Sequence, residues 1–324
     1  MIRTVLTTAM CWVVLFNSFA QVDQVKVEAF ISKYATSRGV SEAEVREIIG
    51  QAEFQLSIVE KFNRPAEKTM TWSRYRNIFM KEERIESGLA FWKTHETALQ
   101  KVSAETGVPE HIILGILGVE SAFGDNKGSY RVLDALYTIS FGIPRRSSYF
   151  TKELGEFLDL VKAEKLDPLQ VLGGYAGAMG YCQFMPSSYR AYAKSYDDGG
   201  TRDLMGSPED AIASVANYLK VHRWKADQKV AVPAVASANA NPPAKFSSKV
   251  KYDVAHYQNL GFDPEWELTP TRKVSLLEFQ LDEGKEYWFG LYNFYVITRY
   301  NHSSMYALVV YQLGEAINKR RGGL

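Results

Sequence analysis

The sequence predicts a mainly α protein with a small β subdomain inserted towards its C-terminal end. Three observations carry this expectation. Apolar residues recur at helical spacing through most of the chain. One run, 112–119, is apolar nearly all the way round, as a helix central to a core must be. Between 226 and 286 the texture changes to β-branched and aromatic segments separated by Gly and Pro.

Residues 1–20 read as a secretory leader. Arg3 supplies the positive start, 5–16 is mostly apolar, and Ser18-Phe19-Ala20 has the small-x-small pattern of a cleavage site after Ala20. The apolar stretch is shorter than the roughly 20 residues a bilayer-spanning helix needs, and Thr7 and Thr8 interrupt it. Cys11 follows the bulky Met10, which disfavours lipid attachment there, so the expectation is a soluble exported protein. Cleavage removes one base and no acid and leaves Cys182 as the only cysteine, so no intramolecular disulfide can form.

The mature chain is then expected to hold an N-terminal helical domain at 21–106. Ser41 and Glu44 have capping-box spacing, and Ile85, Leu89, Trp92, Leu99 and Val102 keep a helical period until Gly107 and Pro109 stop one helix and start another. A core formed by 107–225 and 287–324 follows, with helices over 110–119, 153–165, 210–224 and 304–320. The β insertion at 226–286 begins with a Pro-, Ala-, Ser- and Asn-biased loop at 231–248, then shows strand-like runs at 249–254 and 273–280, with a third at 287–289 at its end.

With 46% hydrophobic residues in 324 the chain can bury a large core, and it lies outside the disordered and disulfide-framework classes. Its 38 Lys and Arg against 37 Asp and Glu create no global field to hold nucleic acid or anionic lipid. A polymer substrate must be gripped by local contacts.

The chemistry concentrates in two places. Glu120 ends the apolar 112–119 run, where lost hydration disfavours its charged form and suits it to donate a proton; the alternative is a glutamate that caps or salt-bridges within the fold. The stretch 173–189 is rich in glycine and aromatics. Glycines let a backbone approach a ligand closely, Tyr and Phe rings offer flat faces to sugars, and the Gln183 amide both donates and accepts; the alternative is a tight packing loop with core aromatics.

Four segments, in order along nearly all of the mature chain, resemble the lytic murein transglycosylase B family: Gly118-Val119-Glu120-Ser121; Gly177-Ala178-Met179-Gly180-Tyr181 with Gln183-Phe184-Met185-Pro186; the run from Asp210 to Tyr218; and Asn293-Phe294-Tyr295 with Arg299-Tyr300-Asn301-His302. The resemblance implies a lysozyme-like helical core carrying the N-terminal helical domain and the inserted β subdomain. It implies an envelope enzyme that cuts the β-1,4 bond between N-acetylmuramic acid and N-acetylglucosamine in peptidoglycan, leaving 1,6-anhydromuramic ends. Matching positions make Glu120 the single catalytic acid and base and put Tyr75, Gln183, Tyr218, Tyr300 and Asn301 along the glycan groove. Partners would be glycan strands and other cell-wall enzymes, with no nucleic acid and no cofactor, and the protein acting as a monomer. Two positions depart from the family: Gly174 stands where a serine is common, and Cys182 replaces a glycine beside Gln183, which is expected to narrow the groove.

Mechanistically, a glycosidase that uses water wants two carboxylates. The motifs offer only Asp125 and Asp134 besides Glu120, and these read as a turn and a helix-start residue. Two other readings stay open: a muramidase that hydrolyses the same bond, and a non-catalytic wall-binding protein. Some family members carry a calcium loop where this chain has Asp197-Asp198-Gly199-Gly200-Thr201-Arg202-Asp203. Here the order of ligand positions is scrambled and Gly199 stands at one of them, so no metal is expected.

Overall fold

The computed structural model describes residues 22–63, 70–197 and 199–322, so the expected leader lies outside the described residues. Helix α1 (Gln24–Arg38) is capped by the Asp23 carboxylate, and α2 (Glu42–Ile49) by the Ser41 hydroxyl. Next come α3 (Leu56–Asn63) and α4 (Trp72–Phe79). The period through Ile85 and Val102 is carried by two helices, α5 (Glu82–Thr94) and α6 (Glu96–Thr106), rather than one. His95 sits between them at φ −111°, and its Nδ1 lies 2.7 Å from the Glu209 carboxylate. A tertiary contact has overridden the local period.

Helix α7 (Glu110–Ser121) buries residues on every side from Ile112 to Gly118, as its all-round apolar sequence requires. It packs along α14 (Ser304–Gly322), and the two form the spine of the core. The packing is close because a Cβ on Gly115 would strike the Val310 carbonyl, and one on Gly314 the His111 carbonyl. A short ribbon pairs β1 (Tyr130–Arg131) with β2 (Leu172–Gly173), and between them run α8 (Val132–Gly142) and α9 (Ser147–Ala163). Helices α10 (Pro186–Tyr192) and α11 (Pro208–Val221) complete this lobe before the sheet.

The inserted sheet contains β3 (Ala231–Ala236), β4 (Tyr252–Asp253), β5 (Phe262–Pro264), β6 (Lys273–Gln280) and β7 (Lys285–Gly290), in the order β4-β6-β7-β3-β5 with antiparallel pairs throughout. A short helix, α12 (Val254–Gln258), lies in this region, and α13 (Tyr292–Ile297) leads back to the core. The start of the biased 231–248 segment is strand β3, not loop. Pro233 fits there because it has no N–H to leave unpaired and its carbonyl accepts from Glu265. The last strand also carries the sheet past residue 286.

Strand β6 explains how the sheet is fixed. Its alternate side chains serve two cores, Val274 and Leu276 facing the sheet's own cluster while Leu277 and Phe279 join the main one. At the β6–β7 turn Asp282 accepts from the Thr71 hydroxyl at 2.7 Å and pairs with Arg74 at 3.3 Å, which fastens the insertion to α4. The main core is continuous from Val27 to Ile317, and α1 and α3 pack on α8 rather than forming a core of their own.

Candidate active site

Glu120 occupies the last turn of α7. The chain then turns sharply, with Ala122 and Phe123 both at positive φ, 52° and 61°. Each such non-glycine residue costs about 1 kcal/mol or more. The turn is held by the Phe123 N–H on the Leu117 carbonyl at 3.1 Å and by the Ser121 hydroxyl, which donates to the Tyr181 carbonyl at 2.8 Å. This second bond ties the helix end to the glycine-rich 173–189 stretch. Arg84 donates to the Gly118 carbonyl, satisfying one of the orphan acceptors at the helix end.

A cleft of about 850 Å³ opens beside Glu120. Gln183, Tyr300 and Asn301 line it together with Glu120, and the backbone of Gly174 forms part of the wall. Among the described lining residues Glu120 is the only carboxylate, while Lys61 and Arg146 are cationic. Gln183 sits at φ 46°, and its side-chain amide donates to the carbonyls of Lys127 at 3.0 Å and Gly180 at 2.9 Å, so its Oε1 remains the atom aimed elsewhere. A Cβ on Gly174 would come within 3.0 Å of that oxygen, so any larger residue there would press on Gln183.

Three tyrosines form the back of the site. Tyr306 of α14 donates to Glu120 Oε1 at 2.6 Å. Its ring stacks on Tyr300, with centroids 6.3 Å apart and planes at 15°, and Tyr300 donates to the Cys182 carbonyl at 2.7 Å. Burial first, and the negative charge of Glu120 after it, push the Tyr306 phenol well above its ordinary value. Burial, then Cys182 and Glu120, do the same at Tyr300. Both therefore keep their hydrogen bonds as donors at neutral pH. Tyr218 packs 4.7 Å from the Tyr300 ring and donates to the Arg299 carbonyl at 2.5 Å.

Of the residues expected in the groove, the structure brings Glu120, Gln183, Tyr300 and Asn301 into one cleft. Tyr75 and Tyr218 are buried, at 5% and 7% exposure, Tyr75 packed against Trp72 and Phe79 and Tyr218 against Tyr300. Tyr306 was not singled out from the sequence. Its only signal was an aromatic on the helix that follows the Arg299-Tyr300-Asn301-His302 motif. Cys182 does not narrow the groove: its thiol is fully buried, 3.5 Å from the Ala211 carbonyl of α11, and burial pushes it well above the ordinary thiol range.

The other carboxylates have structural partners. Asp134, in the first turn of α8, accepts from the Glu53 N–H at 2.9 Å and takes a two-pronged bond from Arg131. Asp125 lies in the turn after α7 and is not on the cleft wall. In the 197–203 loop, Asp203 Oδ1 accepts from the N–H groups of Met205 and Gly206, and both oxygens of Asp210 accept from backbone, Tyr196 on one and Asp203 on the other. Asp198 lies outside the described residues. Among the described residues no group of three or more His, Cys, Asp or Glu side chains is gathered in one place.

Residues 23–315 match the family described as Transglycosylase SLT domain. The chain belongs to that family. It is 41% identical over 299 residues to the membrane-bound lytic murein transglycosylase B of Escherichia coli strain K12, covering 90% of this chain and 82% of the relative. The soluble lytic transglycosylase SltB1 of Pseudomonas aeruginosa superposes with a TM-score of 0.84 at 40% identity, over 92% of this chain and 99% of that one. The Escherichia coli lytic transglycosylase Slt35 in complex with calcium superposes with a TM-score of 0.84 at 40% identity, over 94% of this chain and 95% of that one. The lysozyme-like α core with its β subdomain is thus the family's fold.

Proposed function

We propose that this chain is a lytic transglycosylase of peptidoglycan, cutting the β-1,4 bond between N-acetylmuramic acid and N-acetylglucosamine with Glu120 as its single acid and base. One observation carries the mechanism: Glu120 is the only carboxylate among the described residues of the cleft. A water-using glycosidase needs a second carboxylate, as nucleophile or as base for the water. Here the protonated Glu120 gives its proton to the glycosidic oxygen, and the bond from that oxygen to muramic C1 breaks. The oxocarbenium left behind is captured by the same sugar's 6-hydroxyl, whose proton returns to Glu120. The tethered hydroxyl needs no encounter and so has a large effective concentration.

Tyr306 holds Glu120 through both transfers. Gln183, Tyr300 and Asn301 contact the glycan, with Tyr75 and Tyr218 among the aromatics of the same groove, Tyr218 packed on the Tyr300 ring. The enzyme works on glycan strands in the periplasm, as a monomer, after loss of residues 1–20. No described helix is long and apolar enough to cross a membrane.

Digestion of purified sacculi in oxygen-18 water decides between transfer and hydrolysis. The expected muropeptides end in 1,6-anhydromuramic acid, weigh one water less than hydrolytic products and carry no label. Labelled reducing ends as the main product would make the enzyme a muramidase.

A further inference from the structure

Helix α7 presents Glu120 on its last turn, where a helix is least able to satisfy its own carbonyls. The N–H that would continue the helix onto the Gly118 carbonyl is that of Ala122, and it goes instead to Leu117, as does the N–H of Phe123. The Gly118 carbonyl, two residues before the acid, is served from outside by the guanidinium of Arg84 on α5. Arg84 is half-buried. Burial works against its charge, which the negative charge of Asp125, beyond the turn, supports. A partly desolvated cation is a demanding way to satisfy one backbone carbonyl.

The same face of α5 makes a second hold. Gly88 lies one helical turn from Arg84, and the tip of the Phe123 ring enters between Gly88 and Gly118: a Cβ on Gly88 would come 2.8 Å from Phe123 Cζ, and one on Gly118 2.7 Å from it. Phe123 is the second of the two positive-φ residues that turn the chain after Glu120, so the seating of its ring keeps that backbone in place. Arg84 thus holds the chain before the acid and the Gly88 notch holds it after. Helix α5 is in turn tied to α14, the helix of Tyr306, because Arg320 pairs with both Glu82 and Glu86.

We propose that Arg84 is a positioning residue of the reaction: it holds the last turn of α7 against α5 and so sets where the Glu120 carboxyl meets the glycosidic oxygen. The inference rests on the proposed role of Glu120. One group gives a proton to that oxygen and then takes one from the 6-hydroxyl, so its carboxyl has to stand within hydrogen-bond reach of both. A displacement of about 1 Å costs on the order of a hundredfold in rate. Tyr306 fixes the carboxyl itself, and Arg84 fixes the backbone that carries it. Asp125 then serves the brace as its counter-charge rather than the reaction as a second acid.

The test measures kcat and KM on soluble glycan at a temperature where circular dichroism shows each variant folded. Arg84→Met, which keeps the stem and removes the donors, should lower kcat about 30-fold with KM changed by less than about twofold. Arg84→Lys keeps the charge but reaches less far, and its kcat should fall about fivefold. Arg320→Gln loosens the same helix at exposed ion pairs and should leave kcat unaltered. Asp125→Asn should lower kcat about threefold and still yield anhydro ends, whereas complete loss of activity there would make Asp125 a reacting group and overturn the brace. A kcat within about twofold of the unaltered enzyme in Arg84→Met overturns the proposal, and so does an equal fall in Arg320→Gln. Should Arg84→Met fail to fold, Arg84→Lys decides by the same criterion, because a lysine also caps a helix end and a purely structural role would be met by it. Hydrolytic ends from the unaltered enzyme, or an active Glu120→Gln, would count against the proposed function; an unaltered kcat in the Arg84 variants counts against the positioning role alone.

Discussion

Tyr306 and Glu120 stand 186 residues apart in the chain and meet in a 2.6 Å hydrogen bond, the phenol donating to Oε1. The ring is buried and stacked on Tyr300, so the donor cannot swing away without breaking the packing of α14. Tyr306→Phe keeps the ring and removes the donor. A hydrogen bond to a charged group contributes about 1.5–3 kcal/mol, so kcat on sacculi should fall about 10- to 100-fold with KM little changed. Steady-state kinetics on soluble glycan check this.

Glu120→Gln keeps shape and polarity but cannot cycle a proton. Turbidity clearing of sacculi should drop by several orders of magnitude, while co-sedimentation with sacculi persists. Clearing at the unaltered rate would move the chemistry to another residue.

Asp134 is the buried carboxylate a hydrolytic mechanism would first recruit, yet its oxygens serve Arg131 and the Glu53 N–H. Asp134→Ala should cost about 3 kcal/mol of stability by leaving Arg131 and that N–H without their partner. The products of the surviving folded enzyme should still be anhydro-ended. Urea denaturation and product mass spectrometry read the two effects separately.

The buried phenols set an alkaline limit. Burial raises Tyr300 and Tyr306 well above the ordinary tyrosine range and pushes Tyr311 up to about 12. The unfolded chain loses these protons near its ordinary value of about 10 while the folded chain keeps them. Their stabilisation is thus complete below about pH 10 and is lost as pH rises through the folded values. Phenolate absorbance and loss of circular dichroism should appear together in an alkaline titration. Normal ionisation of these tyrosines in a still-folded protein would contradict this account.

In the 197–203 region, Asp203 and Asp210 are already hydrogen-bonded to backbone N–H groups, so calcium would have to displace bonds the fold uses. Added calcium or a chelator should shift the melting temperature by no more than about 1 °C. A rise of many degrees with calcium would mean that the loop rearranges into a cage.

Much of the architecture was legible because it is written in local periods. The apolar sweep of α7 announced both a central helix and the placing of Glu120 at its end. Where local and distant demands diverge, local reading failed. His95 breaks the expected helix because its ring is engaged by Glu209, more than a hundred residues on. The alanines of β3 look like loop in isolation and become strand because β5 and β7 offer ladders on both sides. In the site, resemblance pointed to Gln183, Tyr300 and Asn301, whereas Tyr306 looks in sequence like any other aromatic on a core-facing helix. Tyr75 and Tyr218 show the complementary difficulty: residue type does not say how deeply a ring is buried.

The clasp between Asp282 and the start of α4, and the seating of α14 on α7, carry a consequence for biosynthesis. Both join residues made early to residues made about two hundred positions later, and loops that long close late. A ribosome that has translated Glu120 has still to supply Asp282, Tyr300 and Tyr306. The cutting edge can therefore mature only once the chain has been made through Tyr306, and until then the nascent protein holds its acid without the tyrosines that steady it.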